Sequence, residues 1–414
     1  MYLHPMFQLT KYSLRPSRFV AFVLFLATFA PPLTAQEDSS VKQQSPSDTH
    51  FPVATVFQSG DNGYMVFRIP AVIRTAGDGL LAFCEARQGG DASEIDLVMK
   101  RSTDGGRSWG ALIVVQESSD FREYFSGDVP AITIGNPAPV VDLLDPDHPG
   151  RIWLPFTLEN DRVFVIFSDD DGATWSPRRE ITKDVKKEAW GWYATGPVHS
   201  IQIQHGPHRG RLVIPTDHRL GEDGKDGGDL GAHLILSDDH GKSWRLGAVD
   251  DTYKDGIGAN ETTVVELPDG TLYINTRNQA GEAPESRGES FSRDGGESFQ
   301  SGRPQWKAFR PAPAILDPPV VQCSLLNVAD KMIVFSGPDQ NGPSGKGRSD
   351  LRFRYSMDQA ESWIDGPLIH TGPAAYSDLV LIDDDTVGVV FENGDASGKN
   401  AYQRISFARV KVTQ

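Results

Sequence analysis

Cysteine is nearly missing from this sequence: Cys84 and Cys323 are the only two in 414 residues. Two thiols cannot staple a chain of this size, so a disulfide scaffold is excluded and stability has to come from burial. Both lie in apolar, strand-like runs, which favours two buried thiols over the one disulfide an exported protein can form. Neither has a histidine or a second cysteine at metal-ligand spacing, and no metal site or cofactor is read. Positive charge is also short, with 40 Lys and Arg against 56 Asp and Glu and a formal net charge of -16. Such an acidic chain is not expected to bind nucleic acid. An anionic ligand would have to be held by a local cluster of cations working against the overall field, which makes arginines in motif positions the residues to follow.

Long hydrophobic runs are lacking as well. The apolar stretch Phe19 to Ala30 is ended by Pro31 and Pro32, short of the ~20 residues that span a bilayer. Preceded by Lys11, Arg15 and Arg18 and followed by Leu33-Thr34-Ala35, it reads as a secretory signal over residues 1–35, cleaved after Ala35. The expected location is therefore secreted or periplasmic, with no membrane span after cleavage. Residues 1–35 hold three basic and no acidic residues, so their removal moves the formal charge from -16 to -19. Residues 36–50 are polar with little to bury and read as a flexible leader.

No long helical periodicity is present after Phe51. Short β-branched and aromatic runs alternate with Gly, Asp, Asn and Pro instead, as in Gly79-Leu-Leu-Ala-Phe-Cys84, Arg211-Leu-Val-Ile-Pro215 and Thr271-Leu-Tyr-Ile-Asn275. An all-β fold follows. Within it a repeat recurs: Ser-x-Asp-x-Gly-x-x-Trp at Ser102 to Trp109, Ser168 to Trp175 and Ser237 to Trp244. Two degenerate copies follow, Ser292 to Phe299 without the Trp and Ser356 to Trp363 with Ala360 for the Gly. The starts are 66, 69, 55 and 64 residues apart, each interval long enough for one four-stranded sheet. Residues 51–414 then hold about six units, a six-bladed β-propeller. Each copy is expected to be a turn in which Ser and Asp bond local backbone amides, Gly takes a positive φ and Trp packs on a neighbouring sheet. Five repeated aspartates do not make a catalytic or calcium array, because what recurs in nearly every unit serves the scaffold.

The repeats, preceded by Val66-Phe67-Arg68-Ile69-Pro70, resemble the Asp-box sialidases, or neuraminidases, over essentially the whole chain after the leader. The resemblance implies a six-bladed propeller that releases terminal sialic acids, acting on sialylated glycans, glycoproteins or gangliosides as a monomer. Such a substrate carries a carboxylate on its anomeric carbon, and arginine forks suit it because they bond it in pairs and keep their charge. The implied triad is Arg68, Arg277 in Thr271-Leu-Tyr-Ile-Asn-Thr-Arg277, and Arg348, with Arg352 and Arg354 close by. A neutral phenol avoids repulsion from the substrate carboxylate, and sialidases are a tyrosine exception among glycosidases. The match places that nucleophile at Tyr376, in Ala374-Ala-Tyr-Ser-Asp-Leu-Val380. A phenol with a pKa of ~10 needs a base beside it. Glu261 matches that role, with Glu266 as the lesser alternative on the other side of a regular strand.

The same resemblance implies Asp91 as acid/base on the loop after Glu85-Ala86-Arg87, with Asp96 as its rival. Arg87 is expected in the pocket, and Glu392 to orient Arg68. Trp190 and Trp192 are placed either to stack on sugar or to pack. Gly196-Pro197-Val198 departs from the family's Gly-Pro-Gly, which leaves linkage preference open. Two alternatives stand beside the retaining hydrolase: a trans-sialidase using the same residues, and a non-catalytic Asp-box propeller that binds glycans.

Overall fold

The computed structural model describes residues 51–412 except 128, 130, 223, 226, 282–284 and 340–346. The expected signal and leader, residues 1–35 and 36–50, lie outside the described residues. The described chain is built of antiparallel strands with short helical turns, and its one α-helix is the single turn Thr182–Val185. The strands divide into five sheets. The first runs Val66–Arg74, Leu80–Arg87, Ile95–Ser102, Ile113–Gln116 in order. The second centres on Arg151–Leu158 and Arg162–Ser168, the third on Leu212–Leu220 and Leu230–Ser237. The fourth runs Ala259–Glu266, Leu272–Asn278, Arg287–Ser292, Arg310–Pro311.

A fifth sheet has seven strands, where two four-stranded units were expected. Its middle member, Ile364–Asp383, is 20 residues long. It pairs with Ser349–Ser356 up to Pro373 and with Thr386–Asn393 from Ala374 onward. At its far edge the early strand Val53–Gln58 pairs with Arg404–Lys411, joining the two ends of the described chain. The arrangement is all-β and propeller-like. The expectation of six separate sheets holds only in part, because the strand between two of the units continues without a break.

The apolar clusters explain why consecutive sheets stack. Ala71, Leu81 and Phe83 of the first sheet pack with Ile152, Leu154 and Phe164 of the second. Val56, Phe57 and Phe407 pack with Phe67 and Cys84. Buried side chains of this size stabilise by about 1.5–3 kcal/mol each. The repeat turns add a regular contribution. Ser102 Oγ accepts the Gly106 N–H at 2.8 Å, and the same bond recurs from Gly172, Gly241, Gly296 and Ala360. The tryptophans of the three full copies then cross to another sheet: Trp175 lies edge-on to Phe83, Trp244 to Trp153, and Trp109 to Phe407. Cys84 and Cys323 are free, buried thiols.

Candidate functional site

Three of the residues singled out from the sequence sit where the strand ladders slip. The pairing of Val66–Arg74 with Leu80–Arg87 shifts register between Arg68 and Ala71, and Ile69 there has φ 60°. A β-branched residue in the left-handed region is strained, and the bulge it belongs to re-aims its neighbours. Register also shifts between Ala259 and Thr262, around Glu261, and between Ala374 and Ser377, around Tyr376. Bulges turn side chains away from the regular alternation, so these three groups face one cavity although regular strands would set them otherwise.

That cavity is about 330 Å³ and is lined by Arg68, Arg87, Asp91, Glu261, Arg277, Arg348 and Tyr376, among others. The Tyr376 hydroxyl donates to Glu261 Oε1 and accepts from Arg277 Nη1 at 3.2 Å. Arg277 Nη1 also donates to Glu261 Oε2 at 2.8 Å. The guanidinium carbons of Arg68 and Arg348 stand 5.2 and 5.5 Å from the Tyr376 ring centroid. Burial pushes the Tyr376 phenol well above its ordinary range and the Glu261 carboxylate adds to this, while Arg277, Arg348 and Arg68 pull it back in part. The phenol therefore keeps its proton at neutral pH, and that proton already points at a carboxylate.

Glu392 is fully buried beneath the cavity and holds it together. Its Oε1 accepts Arg68 Nε at 2.6 Å and the Ile69 N–H at 2.9 Å, and its Oε2 accepts the Tyr376 N–H at 3.2 Å. One carboxylate thus fixes the first arginine relative to the backbone of the phenol. On the opposite wall Arg87 bonds Glu85 through Nε at 2.8 Å and reaches Asp91 through Nη1. The Asp91 side chain is 87% exposed, with Arg68 Nη1 at 4.0 Å. Partial loss of solvent around it at the cavity mouth pushes its carboxyl up, but the charge and hydrogen bond of Arg87, with Arg68 and Arg348 behind, outweigh this and hold it below the usual carboxylate range.

The rivals lie elsewhere. Asp96 accepts from the Tyr64 hydroxyl at 2.7 Å and from Ser118. Glu266 accepts the N–H groups of Gln204 and His205 and lines a different hollow. Arg352 pairs with Asp339 and Arg354 with Asp317. Trp192 lines the cavity, whereas Trp190 is buried and stacks on His218 with centroids 3.8 Å apart.

Sequence reasoning missed Tyr402, Glu85 and Asp217. Tyr402 accepts from Arg348 Nη1 at 2.9 Å and lies under Arg68, 4.0 Å from ring centroid to guanidinium carbon. Glu85 joins Arg87 to the Asn136 N–H on the next sheet. Asp217 is fully buried near Glu261 and accepts from Asn260 Nδ2 at 2.6 Å; burial and then Glu261 push its carboxyl far up. Only for Glu85 was there a signal, its place beside Arg87 at the end of a strand.

The chain is similar to known proteins. A sialidase of Micromonospora viridifaciens is 28% identical over 370 residues, 81% of this chain and 51% of that protein, so the chain spans about half its length. An exo-alpha-sialidase of Aspergillus fumigatus is 28% identical over 393 residues, 85% of each chain. Among solved structures, the Hadza microbial sialidase Hz136 superposes with a TM-score of 0.70 at 25% identity, over 87% of this chain and 68% of that one. No helix among the described residues is long and apolar enough to cross a membrane. The model of the BNR repeat-like domain matches residues 78–389, which takes in all five serine-aspartate turns, and the chain belongs to that family, the Asp-box sialidase lineage.

Proposed function

We propose that this chain is an exo-α-sialidase that releases terminal sialic acid with retention of configuration. The observation that carries the reading is the convergence of three guanidinium groups, a phenol bonded to a carboxylate, and a separate exposed carboxyl on one cavity. The three arginines meet the substrate carboxylate. Asp91 gives its proton to the glycosidic oxygen as the bond to the aglycone breaks. Tyr376 passes its proton to Glu261 and its oxygen bonds the anomeric carbon, giving a glycosyl-tyrosine. The Asp91 carboxylate next takes a proton from water, whose oxygen displaces Tyr376, and Glu261 returns the phenolic proton. Each proton taken is given back, so the enzyme ends as it began.

The seven-stranded sheet is, on this reading, two blades sharing Ile364–Asp383. Its two halves pair with different partners and enclose their own apolar cluster of Val334, Phe353, Leu379, Val389 and Phe391. That makes six blades over residues 51–414. The signal over 1–35 would send a monomer out of the cytoplasm to sialylated glycoconjugates.

The test is hydrolysis of a fluorogenic aryl sialoside by wild type and Tyr376→Phe, with folding checked by circular dichroism. Wild type is expected to turn over and the variant to lose kcat by on the order of 10³-fold or more. Near-normal turnover in the variant would remove Tyr376 from the reaction, and an inert wild type would leave a glycan-binding propeller. With lactose present, sialyl-lactose in excess of free sialic acid would make the chain a trans-sialidase.

A further inference from the structure

Two carboxylates and an imidazole meet at the junction of the second and third sheets, and none of them lines the cavity described above. Asp142 ends the strand Val140–Asp142 and is wholly buried; Asp145, in the turn that follows, is 1% exposed. His240 comes from the repeat turn of the third sheet, between Asp239 and Gly241. One oxygen of each carboxylate and one ring nitrogen lie within 4.8 Å of one another.

The hydrogen bonds leave one oxygen of this group unsatisfied. Asp142 Oδ1 accepts the N–H groups of Leu144 and Asp145 and the Gln202 amide, while its Oδ2 has His240 Nδ1 at 2.9 Å. Asp145 Oδ1 accepts the Asp147 N–H at 2.9 Å, but Asp145 Oδ2 is buried and meets no donor among the described residues. An enclosed carboxylate oxygen without a partner is costly, and two buried carboxylates call for positive charge beside them. The Arg151 guanidinium acts on both carboxylates through space, but its hydrogen bonds go to the two oxygens of Asp169, and exposed Lys242 lies 4.0 Å from Asp147, so neither bonds Asp145 Oδ2.

Comparison of the five repeats singles out the same residue. The position between Asp and Gly is Gly105, Asp171, His240, Gly295 and Gln359 (before Ala360), with φ from 54° to 68° in all five. Glycine suffices there for the backbone, so a histidine is not what the turn requires. Among the five repeats this is the one that carries an imidazole at the position.

We propose that Asp142, Asp145 and His240 bind a divalent cation of the kind that takes mixed nitrogen and oxygen ligands, Zn²⁺ or Mn²⁺. A nitrogen donor with two carboxylates suits these ions, whereas Ca²⁺ takes oxygen ligands. Two ligands on one such ion lie ~3.3 Å apart, a few tenths of an ångström beyond the present His240–Asp142 separation. The bound ion fixes the turn of one sheet to the repeat turn of the next.

Thermal unfolding of the full chain after EDTA treatment, with Zn²⁺, Mn²⁺, Ca²⁺ or no ion added, tests this without any assay of catalysis. Zn²⁺ or Mn²⁺ is expected to raise Tm by roughly 3–8 °C, with one ion bound per chain by elemental analysis. His240→Gly keeps a residue that two other repeats use at this position, so it is expected to fold; it and Asp145→Asn should lose the rise. No rise with either ion, a rise of equal size in both variants, or a response to Ca²⁺ alone overturns the site.

Discussion

In the proposed reaction Asp91 has to hold a proton while sitting among guanidinium groups. In the free protein Arg87 and Arg68 keep its carboxyl below the usual range, so the protonated form is scarce at neutral pH. A substrate carboxylate entering the arginine clamp would cancel part of that positive field and let the Asp91 pKa rise. Because kcat/KM reports the free enzyme and kcat the complex, the alkaline fall assigned to this proton donor should lie at higher pH in kcat than in kcat/KM. Steady-state kinetics across acidic pH measures both limbs, and limbs that coincide would place the proton elsewhere. Asp91→Ala should also cost more on substrates with poor leaving groups than on activated aryl sialosides, and equal losses on both would argue against it. At this scale the sequence was informative about residue type and neighbourhood. Its choice of Arg348 over Arg352 and Arg354 rested on motif context alone; the partners that occupy the other two, Asp339 and Asp317, come from tertiary contacts.

The repeat turns act as elements, each fastening one sheet to another. Gly106 has φ 85°, and a Cβ built there would lie 2.1 Å from the ring of Phe407, on the strand that closes the far sheet. Gly106→Ala therefore combines backbone strain with a clash against a buried aromatic. A loss of roughly 2–4 kcal/mol is expected, measured by denaturant unfolding. A loss below about 0.5 kcal/mol would mean that the turn relaxes freely. The turn at Ser356 gives a natural comparison, since Ala360 tolerates φ 70° with its N–H still on Ser356 Oγ. Spacing and turn residues made these elements legible. The bulges at Arg68, Glu261 and Tyr376 were not legible, because a register slip depends on the partner strand and leaves no local composition behind.

For the whole molecule the centre of the ring matters most, and Asp378 ties it. Its carboxylate accepts the N–H groups of Val72, His199 and Leu379 and the Ser324 hydroxyl, and meets His199 Nδ1 at 2.7 Å. Burial pushes the His199 imidazole down, but the Asp378 charge and hydrogen bond prevail and leave it raised. A histidine raised on folding contributes stability that is fully present below the unfolded pKa of ~6.5 and is lost as pH rises through the folded value. Wild-type Tm should accordingly fall over the pH range just above 6.5 relative to His199→Gln, whose side chain does not titrate. Parallel Tm profiles for the two proteins would show that the pair is not linked to stability.

The sequence alone determined the class of fold, the turns that fasten it and the kinds of group the proposed reaction needs, since these rest on local chemistry: alternation, turn residues and charge. The tertiary structure alone decided which groups meet. Arg68 and Glu392 are 324 residues apart and Tyr376 and Glu261 are 115 apart, and each pair is joined only when the sheets close into a ring. It also decided that one unbroken strand pairs with different partners along its two halves, and that Asp142 and Asp145 face a histidine nearly a hundred residues away. Such encounters follow from register and closure, which depend on every sheet at once.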